Sequence, residues 1–175
     1  MRDFIKTERL VLRPFVETDW KALVSYAGDV DVARATGRLP HPYSYADAAN
    51  WIAITEAAHS DHIYGIADSD DHLMGCISLM VTNDGWDIGY WLGKKFWHMG
   101  YMREATQALL TGARQYLAPT TICATVFKDN QRSQALLSFF GFNIVSGLSE
   151  FCLARGRNVS SLRLQLKLIE AVENA

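Results

Sequence analysis

Two stretches of this 175-residue chain carry residue types and spacings that could do chemistry. The first is Trp86-Asp87-Ile88-Gly89-Tyr90-Trp91-Leu92-Gly93-Lys94-Lys95-Phe96-Trp97-His98-Met99-Gly100-Tyr101-Met102-Arg103-Glu104-Ala105. A β-rich run enters a loop, and the loop opens a long helical stretch. Unpaired N–H groups and the dipole at a helix start favour an anion. Gly100 permits close backbone approach, and Lys94, Lys95 and Arg103 add positive charge. The chemistry indicated is phosphate binding, although an ordinary connection into a helix would look similar. No Gly-x-x-x-x-Gly-Lys-Ser/Thr occurs, and no Gly-x-Gly-x-x-Gly follows an early strand. Both absences argue against P-loop nucleotidases and Rossmann dinucleotide enzymes.

The second stretch is Thr125-Val126-Phe127-Lys128-Asp129-Asn130-Gln131-Arg132-Ser133-Gln134-Ala135-Leu136-Leu137-Ser138-Phe139-Phe140-Gly141-Phe142. Asn130 opens a helix directly after a strand, and Ser133 lies three residues on, on the same face. Helix capping with a first-turn serine accounts for the pair without any catalytic role.

The elements that must position these residues follow from periodicity and punctuation. Residues 9–13 alternate as a strand ended by Pro14. Thr18-Asp19 caps a helix that stops near Gly28, 32–35 form a helical turn, and 37–42 form a loop. A second helix starts at Ser44 or Tyr45 and runs to about Ala58. Residues 62–67, 73–81 and 86–92 read as antiparallel strands, joined by turns at 68–72 and at Asn83-Asp84-Gly85. Then come a helix at 101–116, a strand at 121–127, a helix at 130–140, and strands at 142–145 and 161–168. The expected class is α/β (α+β): a mixed, mostly antiparallel sheet of six or seven strands flanked by helices.

Length and composition bound the rest. A chain this long predicts one domain, 1–175, able to bury a sufficient core without disulfides or metal. Hydrophobic residues make up 49% and charged residues 21%, which argues against disorder, collagen or a coiled coil. The net charge of −2 gives no sign of nucleic-acid binding. No 18-residue apolar run predicts a membrane span. The charged N-terminus lacks the apolar run of a signal peptide, so the expectation is a cytoplasmic protein. Cys76, Cys123 and Cys152 are widely spaced and sit among apolar neighbours, as inert core thiols in a reducing compartment do. Residues 1–90 hold seven Lys/Arg against fourteen Asp/Glu, and 91–175 hold ten against five. An acidic front and a basic back suit a cationic substrate and an anionic cofactor. His59, Asp61 and His62 have a spacing that a metal could use but no third ligand, and the Asp68–Asp71 run lacks the Gly and Glu of a calcium loop, so no metal is expected.

Taken together, the segments resemble the GNAT superfamily of acetyl-CoA-dependent N-acetyltransferases, and within it the RimJ/RimL-like branch that acetylates protein N-termini and related amines. The resemblance covers about residues 7–168. It rests on Thr7-Glu8-Arg9-Leu10-Val11-Leu12-Arg13-Pro14, on Ile88-Gly89-Tyr90-Trp91-Leu92, on the loop about Gly100, and on Asn130…Ser133…Gly141-Phe142. It implies that Trp97, His98, Met99, Gly100, Tyr101 and Met102 wrap the pyrophosphate of acetyl-CoA, mostly through backbone N–H groups. Only Gly100 fits the family's strict Gln/Arg-x-x-Gly-x-Gly/Ala pattern. His98 stands where glycine is frequent, and Met102 where a small residue is expected. The resemblance also places Tyr90, Trp91 and Leu92 beside the acetyl group, with an N–H near Leu92 stabilising the oxyanion. It assigns Asn130 to the pantetheine arm and Ser133 to the departing thiolate. Tyr43 and Tyr45 fall in the loop over the acceptor site.

The chemistry implied requires a neutral amine. At about pH 7 deprotonation costs about 1 kcal/mol for an α-amine and about 4.6 for a lysine, so a protein N-terminal α-amine is the leading acceptor. Asp87 is the favoured general base, directly or through a water, if burial raises its pKa; Glu104, in a helix's first turn, is the second candidate. Ser133 is too weak an acid to be more than a positioning donor. The alternative is a GNAT-shaped module, monomer or homodimer, that senses an acyl-CoA or binds a protein without turnover. A ribosome- or RNA-bound factor would need a clustered basic run, which is absent.

Overall fold

The turn signals and alternating runs form a single eight-stranded sheet in the computed structural model, which describes residues 4–58, 60–83, 85–117 and 120–168. Its strands are β1 (Ile5–Lys6), β2 (Val11–Arg13), β3 (His62–Ala67), β4 (Leu73–Thr82), β5 (Gly85–Leu92), β6 (Thr121–Phe127), β7 (Asn143–Cys152) and β8 (Arg157–Lys167). Five helices flank them: α1 (Trp20–Ala27), α2 (Val30–Ala35), α3 (Tyr45–Ala57), α4 (Tyr101–Tyr116) and α5 (Gln131–Phe139). The order is β1-β2-β3-β4-β5-β6-β8-β7, and every pairing is antiparallel except β5 with β6.

The mixed α/β class agrees with expectation, but the sheet has eight strands rather than six or seven. The additional strand, β1, is a two-residue edge, too short to show any period. β7 and β8 run well beyond 142–145 and 161–168 and form a long hairpin, turned at Gly156 with φ +60. Nearly all of β7 is exposed, so it lacks the buried–exposed alternation by which a half-buried strand is recognised.

The helices follow their signals. Ser44 accepts from the Asp47 N–H while Asp47 accepts from the Ser44 N–H, a reciprocal cap that starts α3. Asp29 caps α2 by accepting from the Asp31 and Val32 N–H groups. Two cores result. One lies beneath α4 and α5 and includes Ile88, Leu92, Ala105, Leu109, Ala113 and Leu137. The other lies beneath α1 and α3, around Phe15, Leu23, Tyr43, Ile52 and Cys76. All three cysteines are buried and free. Among the described residues no helix is long and apolar enough to cross a membrane.

β5 and β6 matter most for the site. They pair only at Trp86–Ile122 and Asp87–Cys123 and then part. A wedge-shaped gap therefore opens toward the end of β5, where the chain enters the loop before α4.

Candidate active site

The gap leads into a cleft of about 910 Å³, within the range of ligand sites. Its walls come from β5, the loop before α4, the start of α5, and the segment joining α2 to α3. The orientation of the β5 backbone follows from the ladder. The Gly93 N–H donates to the Met74 carbonyl at 2.9 Å, so Gly93 bonds toward β4. Antiparallel pairs alternate. The peptide groups of Tyr90 and Leu92 therefore face away from β4, into the gap, with no strand opposite. The Leu92 carbonyl is taken by the Trp97 indole Nε1 at 2.8 Å.

The loop between β5 and α4 holds two residues at positive φ, His98 at +65 and Gly100 at +79. Gly100 sits at the N-cap of α4 without a side-chain cap, and its αL conformation explains the glycine. From outside, the Arg9 guanidinium donates to the Met99 carbonyl at 3.0 Å and to Glu104 at 2.7 Å, and lies 4.5 Å above the Tyr101 ring. On the cleft side, Arg132 stacks on Trp97 at 3.7 Å and Arg103 on Phe139 at 3.6 Å. First-turn amides and two stacked guanidiniums thus border one end of the cleft. That set suits an anion.

Glu104 is not placed to act as a base. It accepts from Thr7 Oγ1 at 2.6 Å, from the Arg9 N–H at 2.8 Å and from Arg9 Nε. Burial alone would raise its pKa, but these hydrogen bonds and the Arg9 charge outweigh it and hold the carboxyl below its ordinary value. Its work is to fasten the N-terminal strand segment to the start of α4.

Asn130 and Ser133 come together as the spacing predicts. The Asn130 side chain accepts from the Ser133 N–H at 3.2 Å, and its amide Nδ2 donates to the Ala35 carbonyl at 3.2 Å. Each end of the amide thus makes one hydrogen bond within the protein and keeps capacity for another. Ser133 Oγ lies 2.7 Å from the Tyr90 hydroxyl. Burial pushes Tyr90 up to about 12, with the Ser133 hydrogen bond working the other way.

Asp87 enters the cleft as half of an ion pair. Arg163 Nη1 lies 2.7 Å from its Oδ1 and 3.0 Å from its Oδ2, and donates to Thr125 Oγ1 at 3.0 Å. Three strands thus meet just where β5 and β6 part. Tyr43 lines the cleft but is 8% exposed and belongs to the core under α1 and α3. Tyr45 is outside the cleft lining; it is exposed and packs edge-on against Trp20. Helical spacing explains the difference, since Tyr45 is the first residue of α3 and faces outward. Met99 is also exposed and outside the lining, whereas His98, Tyr101, Met102, Trp91 and Leu92 border it.

Four consecutive carbonyls beside the cleft are each held by a distant group. Arg34 O accepts from Arg155 Nε, Ala35 O from Asn130, Thr36 O from Cys152 Sγ, and Gly37 O from the Leu153 N–H. Sequence reading missed this strap, as it missed Arg9, Arg132 and Arg163. An arginine above an aromatic ring leaves no local spacing to detect. Only the alternation in β8 hinted at Arg163.

The remaining metal candidates do not gather at the cleft. Asp61 accepts from the Val81 N–H and His62 stacks on Trp86, while His59 lies outside the described residues, as does Asp84 of the expected turn. Asp68 caps its own hairpin turn through the Asp70 and His72 N–H groups.

Comparison with known proteins agrees with this geometry. Residues 9–143 match the family described as an acetyltransferase (GNAT) domain. The uncharacterized N-acetyltransferase YoaA of Bacillus subtilis is 26% identical over 163 residues, covering 89% of this chain and 92% of that protein. The crystal structure of a GNAT-family acetyltransferase from Bacillus anthracis superposes with a TM-score of 0.81 at 22% identity, covering 94% of this chain and 98% of that one. The microcin C7 self-immunity acetyltransferase MccE, solved with acetyl-CoA and AMP, superposes with a TM-score of 0.79 at 16% identity, covering 93% and 94%.

Proposed function

The chain belongs to the GNAT acetyltransferase family, and from its cleft we propose that it moves the acetyl group of acetyl-CoA to a primary amine, foremost a protein N-terminal α-amine, as the RimJ/RimL-like branch does. The observation that carries this reading is the parting of β5 from β6 after Asp87–Cys123. It leaves the Tyr90 peptide groups and the Leu92 N–H facing an open gap, a donor and acceptor set that an extended, amide-bearing arm can satisfy as a strand would. The loop ending at Gly100 and the first amides of α4 lie at one end of that gap. Backbone donors there suit a pyrophosphate whatever the side chains at 98 and 102. The residues present therefore fit acetyl-CoA, which supplies an activated acyl group.

This chain's residues then divide the work. The loop from Trp97 to Met102, with Arg103 and Arg132, binds the anionic end. The Leu92 N–H, aimed into the gap, stabilises negative charge gathering on the acyl oxygen. Asp87, on the opposite face of β5 from Tyr90, receives the proton that the attacking amine gives up. An α-amine, which costs only about 1 kcal/mol to deprotonate at about pH 7, suits this site better than a lysine. The rate gain comes mainly from holding amine and thioester in contact and from the oxyanion donor.

Calorimetric titration with acetyl-CoA, CoA and ATP, followed by an amine screen for thiol release, tests the reading. Saturable acetyl-CoA binding with ATP silent, and faster release with an N-terminal peptide than with a lysine side chain, is the expected result. CoA binding without transfer to any amine would instead identify an acyl-CoA sensor.

A further inference from the structure

Ser133 and Tyr90 approach one another from opposite walls of the cleft. Tyr90 is on β5, half-buried against the core under α4 and α5. Ser133 is in the first turn of α5, its own N–H committed to Asn130. Their oxygens are 2.7 Å apart. A serine hydroxyl has one O–H and can accept two hydrogen bonds, so its direction is decided by whichever partner fixes its oxygen. The phenol, raised by burial to about 12, keeps its proton throughout the physiological range and is a donor there. Among the described residues Tyr90 is the hydrogen-bond partner of Ser133 Oγ, and either oxygen can donate across the pair.

We propose that Tyr90 is the positioning residue for Ser133: the phenol donates to Ser133 Oγ and thereby aims the serine's own O–H into the cleft, at the sulfur that departs. The inference rests on the acetyl-transfer reading above and adds a residue to it. In that transfer the amine nitrogen forms a bond to the acyl carbon, the carbon–sulfur bond breaks, and its electron pair stays on sulfur. The amine's surplus proton goes to Asp87 or to water. Ser133 and Tyr90 each keep their protons: Ser133 donates to the thiolate, and Tyr90 donates to Ser133 Oγ. This is the consistent assignment, since neither a serine nor a phenol raised to about 12 is an acid matched to a thiol of about 8.5.

The direct measurement is the thiol of bound CoA, titrated by the ultraviolet absorbance of its thiolate in the wild type, Tyr90→Phe, Ser133→Ala and the double variant. The wild type should hold more thiolate than free CoA at the same pH. Tyr90→Phe, which keeps the ring and so the packing, should cut the bound thiolate-to-thiol ratio about three- to tenfold, the size of one ordinary hydrogen bond. Ser133→Ala should do the same, and the double variant should lose no more than Ser133→Ala alone. Thermal melting of each variant checks that the fold is intact, and Ser133→Ala carries the test should the phenylalanine variant unfold. A bound thiol indifferent to both substitutions overturns the positioning role while leaving acetyl-CoA binding standing. Losses that multiply in the double variant also overturn it, because the two residues would then act independently. A wild-type protein that binds no CoA overturns the acetyl-CoA reading itself.

Discussion

The Trp97 indole donates to the carbonyl of Leu92, five residues before it, at 2.8 Å. One side chain thus ties the last residue of β5 to the loop before α4, and Arg132 stacks on the other side of the same ring. The strand end and the phosphate end of the cleft are therefore held as a unit. Trp97→Phe should keep the stacking and lose the hydrogen bond. Leaving the Leu92 carbonyl without its partner should cost about 1–3 kcal/mol, read as lower stability to urea and weaker acetyl-CoA binding together. A loss of stability with affinity unchanged would show that the two ends are not coupled.

Glu104 gives a pH prediction whose sign is definite. Its pKa is depressed in the folded protein, below an ordinary value of 4.5. A depressed carboxyl contributes stability that is present above the unfolded pKa and lost as pH falls through the folded one. Wild type should thus exceed Glu104→Gln in urea stability near neutral pH, and the difference should shrink steadily below 4.5. A difference independent of pH would mean that Glu104 contributes only neutral hydrogen bonds.

His98 occupies a left-handed conformation, φ +65, which is strained by about 1–2 kcal/mol for a residue with a Cβ. His98→Gly removes that strain and adds some unfolded-state entropy. The net should be about 0.5–1 kcal/mol of added stability, seen as a melting temperature about 1–4 °C higher. A lower melting temperature would mean that the imidazole makes compensating contacts.

Asp87→Asn should leave Arg163 half-buried beside a neutral amide. Stability should fall by about 1–3 kcal/mol. If Asp87 takes the amine's proton, kcat should fall at least tenfold while the KM for acetyl-CoA stays within about twofold. Unchanged kcat would pass the base role to water.

Much of this architecture was legible in the residues themselves. Capping signals at Asn130, Ser44 and Gly100 mark where three helices begin, because a cap is a local contact between neighbours in sequence. The long alternating runs are strands for the same reason. The ion pair of Asp87 with Arg163 spans 76 residues and the Arg9–Glu104 contact 95. Such pairs are set by which strands lie side by side, and no short window contains both partners. Tyr45 shows the converse: a residue can fall in the right segment and still face away, since one position along a helix turns a side chain by about 100°.

The final placement of β8 has a consequence for the order in which this protein can be completed during synthesis. β8 leaves the ribosome after β6 and β7, yet it lies between them. Until it emerges, β7 has no neighbour in the sheet. Leu153 and Arg155, which hold two of the strap's carbonyls, then sit at the end of an unanchored strand. The cleft wall that carries the strap is thus among the last parts to close. A nascent chain can hold the β5 face before it holds the strap, and a chain cut short before residue 157 would keep most of the residues named here without the wall that encloses them.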